Sequence, residues 1–297
     1  MADLTMAKYS IKDLERLSGI KAHTIRIWEK RYGLLHPERT DTNIRHYSDD
    51  DLKRILNVSI LNRHGIKISH IASMNEKEMT DKIVTISSDT SNYDSLIESL
   101  VISMVDLDQD KLEKLLSRSI MQLGFEDSIL NIVYPFLEKI GILWQTGAIN
   151  PAQEHFISHL IRQKIIVGID SVIPANHPSP KHFLLYLPEG ELHEIGLLFY
   201  SYLIQKRGHK VTYLGQWVPL ADMASASTVL NVDYLLTSIV AAYSGTDLID
   251  YLIKLSATFN NKNIFISGYQ ISQISGTLPD NIICLGNAKD LLPHIQE

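Results

Sequence analysis

Hydrophobic positions along the 297-residue chain follow two different periods, and the change between them divides it. Up to about residue 173, apolar side chains recur at three- and four-residue spacings, which predicts amphipathic helices. After Pro174–Pro180 they gather into short runs at Phe183–Leu187, Val211–Leu214, Tyr234–Val240, Ile264–Ile266 and Ile282–Leu285, alternating with helical stretches. Such a βα repeat predicts a parallel sheet covered on both faces, doubly wound and flavodoxin-like, with ligands at the carboxyl ends of its strands.

The helical part subdivides further. In residues 1–75, Ser10 is a good N-cap for a helix over Ile11–Leu17, which Gly19 ends. A second helix spans His23–Tyr32, with Ile25 and Trp28 on one face and Gly33 as its stop. Pro37–Tyr47 is a loop with possible β-positions. Ser48 then opens a third helix with acids in its first turn, which runs through Ile55, Val58 and Leu61 to Gly65. A short helix over Lys67–Met74 follows. Residues 76–93 are polar and serine-rich, and read as a linker. Residues 94–175 repeat Leu96, Leu100 and Val101, then Leu112, Leu115 and Leu116, then Ile129, Ile132 and Val133, as in a bundle of three or four helices. Residues 180–297 hold the sheet. The expected fold class is therefore multidomain α and α/β: an N-terminal block of short helices, a central four-helix-type bundle and a C-terminal flavodoxin-like sheet.

Charge changes this picture only when the chain is divided. The whole carries a net −6, but residues 1–75 hold 13 Lys+Arg against 9 Asp+Glu, a net of +4 on an acidic body. Only the first block is expected to meet a polyanion. A single cysteine, Cys284, excludes an intramolecular disulfide framework and suits a reducing cytosol. Lys8, Lys12 and Asp13 interrupt any signal-peptide pattern, and no apolar run is long enough to span a bilayer, so a cytoplasmic protein without a membrane partner is expected.

Two helices joined through Ser18–Ala22 and followed by a basic loop fit a helix-turn-helix with a wing. The second helix offers Thr24, Arg26, Lys30, Arg31 and Tyr32 to a major groove and its phosphates. Arg39, Arg45, His46 and Tyr47 in the loop suit phosphate contacts, which fix register without reading sequence. The plain alternative is a small helical domain with solvated charges. In order, Tyr9-Ser-Ile-Lys-Asp-Leu, Gly19-Ile, Thr24-Ile-Arg-Ile-Trp-Glu-Lys-Arg-Tyr-Gly-Leu, Pro37-Glu-Arg-Thr and Arg45-His-Tyr-Ser-Asp-Asp-Asp-Leu resemble the N-terminal domain of the MerR family. The resemblance covers about the first 75 residues and implies a dimer on a pseudo-palindromic stretch of double-stranded operator DNA.

The first strand of the sheet ends in Pro188-Glu-Gly-Glu191-Leu-His193-Glu-Ile-Gly196. A histidine there leaves the carboxyl edge of the sheet, available to a metal. Glu191 can accept the proton of its other ring nitrogen, which holds the tautomer and raises ligand basicity. Gly196 would let a bulky flat ligand approach the backbone. Glu191-x-His193-x-x-Gly196 resembles the cobalamin-binding signature. Ser238-Ile-Val240 matches its small-residue motif after the third strand, and Ser267-Gly268 stands where the family has a glycine pair. The resemblance implies His193 as lower cobalt ligand, Glu191 and Ser238 as its hydrogen-bonding relay, and Gly196, Val240 and Gly268 along the slot for the nucleotide tail. Glu replaces the more usual Asp at 191, and Ser267 replaces the first glycine, which implies a tighter slot.

In the helical middle, Trp144 precedes Glu154-His155 by ten residues, and Asn150-Pro151-Ala-Gln153 is a good helix start. This spacing resembles the cap bundle of the light-responsive CarH/LitR regulators, in which the tryptophan and the Glu-His pair cover the upper face of adenosylcobalamin. Gln145 stands where some members place a histidine that takes the vacated cobalt position. The combined resemblance implies a transcriptional regulator, a repressor, whose homo-oligomer of dimer or tetramer type responds to adenosylcobalamin and light. The same pocket would equally serve a light-independent cobalamin sensor, and a regulator that has lost the cofactor and answers to a partner protein is the third reading. An enzyme would need a separate catalytic barrel of about 250 residues, for which the chain has no spare length.

Overall fold

A computed structural model describes residues 9–40, 43–75, 77–79, 82–83, 93–145, 149–241, 245–274 and 277–296. Most of the expected linker at 76–93 lies outside them. The chain forms two compact units, one up to Leu160 and one from Ile161.

In the first unit, helix α1 (Ile11–Ser18) starts at a capping box in which Ser10 and Asp13 bond reciprocally, and ends at Gly19. Helix α2 (Ala22–Tyr32) follows after a short turn, and buries Ile25 while Trp28 is half-buried. Strands β1 (Glu38–Arg39) and β2 (Arg45–His46) pair antiparallel as a two-rung wing, Glu38 opposite His46 and Arg39 opposite Arg45. The wing returns to the chain start, where Tyr9 and Tyr47 exchange backbone hydrogen bonds of 2.9 Å. Ser48 and Asp51 form a second capping box, at the head of α3 (Asp49–Arg63), and the short α4 (Ile68–Ala72) follows.

The bundle begins with α5 (Tyr93–Val105), whose residues from Ser95 onward are all buried, Glu98 included. Next come α6 (Gln109–Leu123), α7 (Phe125–Ser128) and α8 (Tyr134–Gln145). Between α7 and α8 lies a π-helical turn, Ile129–Val133, after which the Tyr134 N–H bonds back five residues to the Ile129 carbonyl. Helix α9 (Pro151–Asp170) opens on a reciprocal pair: Gln153 N–H donates to Asn150 Oδ1 at 3.0 Å, and Asn150 N–H to Gln153 Oε1 at 3.1 Å.

The second unit is built on five parallel strands, β3 (His182–Pro188), β4 (Lys210–Val218), β5 (Tyr234–Ser238), β6 (Asn263–Ser267) and β7 (Ile282–Cys284), in the order β4-β3-β5-β6-β7. Helices α10 (Ile195–Lys206), α11 (Leu220–Val229) and α12 (Gly245–Thr258) connect the first four in turn, and a 3-10 turn (Tyr269–Gln273) follows β6. β3, β5 and β6 are buried over nearly their whole length, as the continuous apolar runs require, while β4 is a partly exposed edge. The chain enters at β3, adds β4 on one side and crosses back to add β5 on the other. The carboxyl ends of β3 and β5 therefore border a topological switch point, where open α/β sheets bind ligands.

Candidate functional site

On the N-terminal block, Arg26, Lys30 and Arg31 are exposed along α2, and Thr24 and Tyr32 are half-exposed. The Arg31 guanidinium lies 5.3 Å from the centre of the Tyr32 ring. Arg39 is exposed on the wing and bonds Asn43 Oδ1 at 2.7 Å. Arg45, His46 and Tyr47 are less open than Arg39. Tyr47 is 1% exposed and belongs to the core. Its hydroxyl donates to Glu29 Oε2 at 3.3 Å, because the backbone bridge to Tyr9 turns the side chain inward. Arg45 donates from Nε to both Glu29 oxygens, at 3.1 and 3.2 Å, and fastens the wing to α2. His46 is half-buried.

At the sheet edge, Glu191 is fully buried in the loop after β3. Its Oε1 accepts the backbone N–H groups of Leu192 and His193, at 2.9 and 2.8 Å, and meets His193 Nδ1 at 2.5 Å. Its Oε2 accepts the N–H groups of Val240 and Ala241, both at 2.7 Å, from the loop after β5. One carboxylate thus spans the switch point. Burial pushes its pKa up, but the His193 ring and the N–H groups of Ala241, His193 and Val240 outweigh that and hold it at about 2. The ionised form fixes the imidazole through Nδ1 and turns Nε2 away from Glu191. The His193 side chain is 60% exposed.

Ser238 was expected in this relay. It ends β5 as a buried residue, and Glu191 instead bonds the backbone two and three residues further on. The next residue, Glu194, is also buried and binds Arg162 Nε at 2.5 Å and the Tyr213 hydroxyl at 2.9 Å. Gly196 lies in the first turn of α10 with open space where a Cβ would stand. Gly268 has a different reason to be glycine: at φ +108° a Cβ would come within 2.2 Å of the Ile239 carbonyl oxygen. It lets the ends of β5 and β6 approach each other.

In the first unit, Trp144 is near the end of α8 and 47% exposed. The side chain of Gln145 is outside the described residues, as are residues 146–148. On the first turn of α9, Glu154 meets His155 Nδ1 at 2.8 Å and accepts the Ser158 hydroxyl at 2.5 Å. His155 is exposed, and the His159 ring centre is 6.3 Å from its own. Sequence spacing did not reveal the backbone donors of Val240 and Ala241, nor Arg162 and Tyr213 around Glu194. Backbone donors leave no trace in residue identity, and the other two lie 32 and 19 positions from Glu194, on α9 and β4.

Comparison with known proteins places family matches on the N-terminal block and on the helical bundle. Residues 9–77 match the MerR HTH family regulatory protein model, and residues 96–167 match a B12 binding domain model. The chain is 28% identical over 253 residues to the HTH-type transcriptional repressor CarH of Myxococcus xanthus, covering 83% of this chain and 84% of that one. The HTH-type transcriptional repressor CarA of the same organism is 27% identical over 234 residues, covering 78% and 76%. The monomethylamine corrinoid protein of Methanosarcina barkeri shares the fold at a TM-score of 0.56 and 14% identity, covering 69% of this chain and 99% of that one. No helix among the described residues is long and apolar enough to cross a membrane. The chain thus joins a MerR-type helix-turn-helix domain to a B12-binding domain, the make-up of a cobalamin-sensing, DNA-binding transcriptional regulator.

Proposed function

We propose that the protein is a cytoplasmic repressor that binds adenosylcobalamin, assembles into a homo-oligomer on operator DNA, and releases it on illumination. On this reading residues 1–75 grip the DNA, 94–175 cap the cofactor and 180–297 hold it from below, with 76–93 as linker. His193 Nε2 would be the lower cobalt ligand, with Trp144, Glu154 and His155 on the cap side and Gly196, Ser238, Val240 and Gly268 along the slot. Among the DNA residues, Thr24, Arg26, Lys30, Arg31, Tyr32 and Arg39 would face the duplex. Arg45, His46 and Tyr47 would hold the wing in shape.

The observation that carries the reading is the buried Glu191 carboxylate, bridging His193 Nδ1 and the N–H groups after β5. A metal-ligating imidazole needs one nitrogen held by an acceptor so that the other can donate its lone pair. The donor set fits a cobalt corrinoid: a tautomer-fixed imidazole at a switch point, with nothing within 4 Å of where a Cβ on Gly196 would stand. Bound adenosylcobalamin would supply a light-labile cobalt–carbon bond. The chain's own residues orient the imidazole and keep the relay charged.

Size-exclusion chromatography with absorbance detection tests this, with adenosylcobalamin added in the dark and again after green light. Corrin absorbance should co-elute with a larger dark species that breaks down on illumination, and His193→Ala should lose the visible spectrum of histidine-ligated cobalt. Binding without a light-dependent change of size would turn the reading into a light-independent cobalamin sensor. No corrin with the protein peak would sink the cofactor assignment.

A further inference from the structure

Strand β4 departs from regular geometry where it reaches the carboxyl edge. Its register against β3 shifts twice, between Leu185 and Tyr186 and between Tyr186 and Pro188. Gly215 sits at φ +85° and Trp217 at φ +57°. A left-handed backbone is ordinary for the glycine but a genuine outlier for a tryptophan, and persists only where the surroundings over-determine it. Bulges of this kind bend an edge strand and re-aim a side chain beside a site. Here the result is an indole 55% exposed to solvent.

The bulged segment is tied to the histidine loop. Gln216 donates from Nε2 to the Leu192 carbonyl at 2.7 Å, and Tyr213, earlier on β4, donates to Glu194. The two residues flanking His193 in sequence are therefore both bonded to β4. Leu192 is itself 56% exposed, so each of the two bonded segments carries a large apolar residue open to solvent. Isolated exposed hydrophobics need no explanation, but two such residues on bonded segments at a ligand-binding edge do.

We propose that Trp217, with Leu192, forms an apolar shelf for the underside of the corrin macrocycle beside His193. This rests on the cobalamin reading above and adds to it a binding residue outside the signature motif. The strained backbone holds the indole at the edge, where it covers the flat ring while His193 reaches the metal. Losing the indole should weaken ring binding about ten- to a hundredfold, given the aromatic area at stake.

The test measures binding of hydroxocobalamin and of cobinamide, which lacks the nucleotide tail, to the full-length chain and to Trp217→Phe and Trp217→Gly. Glycine relieves the left-handed strain, so Trp217→Gly should melt no lower than the parent while binding both corrinoids more weakly by a similar factor. The spectrum of histidine-ligated cobalt should persist at saturation, and Trp217→Phe should recover most of the affinity. Parent-like affinity of Trp217→Gly for both corrinoids overturns the shelf and leaves the cobalamin reading standing. Weakening confined to hydroxocobalamin also overturns it, by moving Trp217 to the tail. If the parent chain binds neither corrinoid, the cobalamin reading fails and the shelf with it.

Discussion

Arg162, on α9, and Glu194, the residue after His193, meet at 2.5 Å, and the Tyr213 hydroxyl closes the second carboxylate oxygen at 2.9 Å. The Glu194 side chain is nearly buried while Arg162 is partly in solvent, so the pair is screened on one side only. Arg162→Ala leaves an inward carboxylate with one partner, at a cost of about 1–2 kcal/mol after allowing for that screening. Thermal melting should register the loss, and the off-rate of bound hydroxocobalamin should rise as the His193 loop loosens.

Glu191→Gln separates the charge of the relay from its shape. The amide cannot accept all the N–H groups that the two carboxylate oxygens now receive, and it weakens the hold on His193 Nδ1. Corrinoid affinity should fall about 10–100-fold, the usual effect of removing such a partner. Equilibrium titration followed by visible absorbance gives the figure, and unchanged affinity would remove Glu191 from the account.

The two glycines of the site should respond in opposite ways to alanine. At Gly196 the space is open and the position helical, so Gly196→Ala should stabilise the fold by about 0.5–1 kcal/mol while lowering corrinoid affinity. Gly268→Ala drives a Cβ against the Ile239 backbone from a left-handed conformation, and should destabilise the sheet unit by at least about 2 kcal/mol. Denaturant midpoints alongside binding titrations distinguish the two.

In the first unit, Glu98 of α5 is buried against Arg63 of α3, with Asp94 also on Arg63 and Lys139 close by. Burial raises the Glu98 pKa from 4.5 to about 7 against the pull of Arg63 and Lys139. A carboxyl that holds its proton more tightly when folded contributes stability below its unfolded pKa and loses it as pH rises through the folded one. Melting of the first unit should therefore fall by several degrees between about pH 4.5 and 7, and Glu98→Gln should flatten that slope.

The DNA face divides into residues that touch phosphate and residues that shape the wing. Arg26→Ala or Arg31→Ala should weaken operator binding and reduce its salt slope by about one each. Tyr47→Phe should leave the slope unchanged, since its hydroxyl is spent on Glu29. Mobility-shift titrations at several salt concentrations separate these classes.

The fold was legible in the sequence wherever one residue type had one local consequence. Ser10 and Ser48 marked helix starts because a hydroxyl there satisfies a backbone donor, and the sheet followed from runs of apolar residues that only a covered parallel strand needs. Side-chain direction was less legible. Tyr47 read as a phosphate contact because its loop is basic, and its inward turn depends on Tyr9, 38 positions away. Ser238 read as a relay member because it fills a motif position, whereas the bonds to Glu191 come from backbone. Trp217 carried no signal at all, since its exposure arises from a bulge that sequence periodicity does not encode.

Between Phe125 and Gln145 the helix holds one residue more than an uninterrupted α-helix of the same rise would need, absorbed at Ile129–Val133. A single deletion inside that turn straightens the helix while every side chain from Tyr134 onward keeps its direction. The same deletion within α8 swings Trp144 about 100° around the axis. Natural relatives that differ by one residue in this helix should carry their alignment gap at the π turn, and the outward face of Trp144 descends intact through such changes.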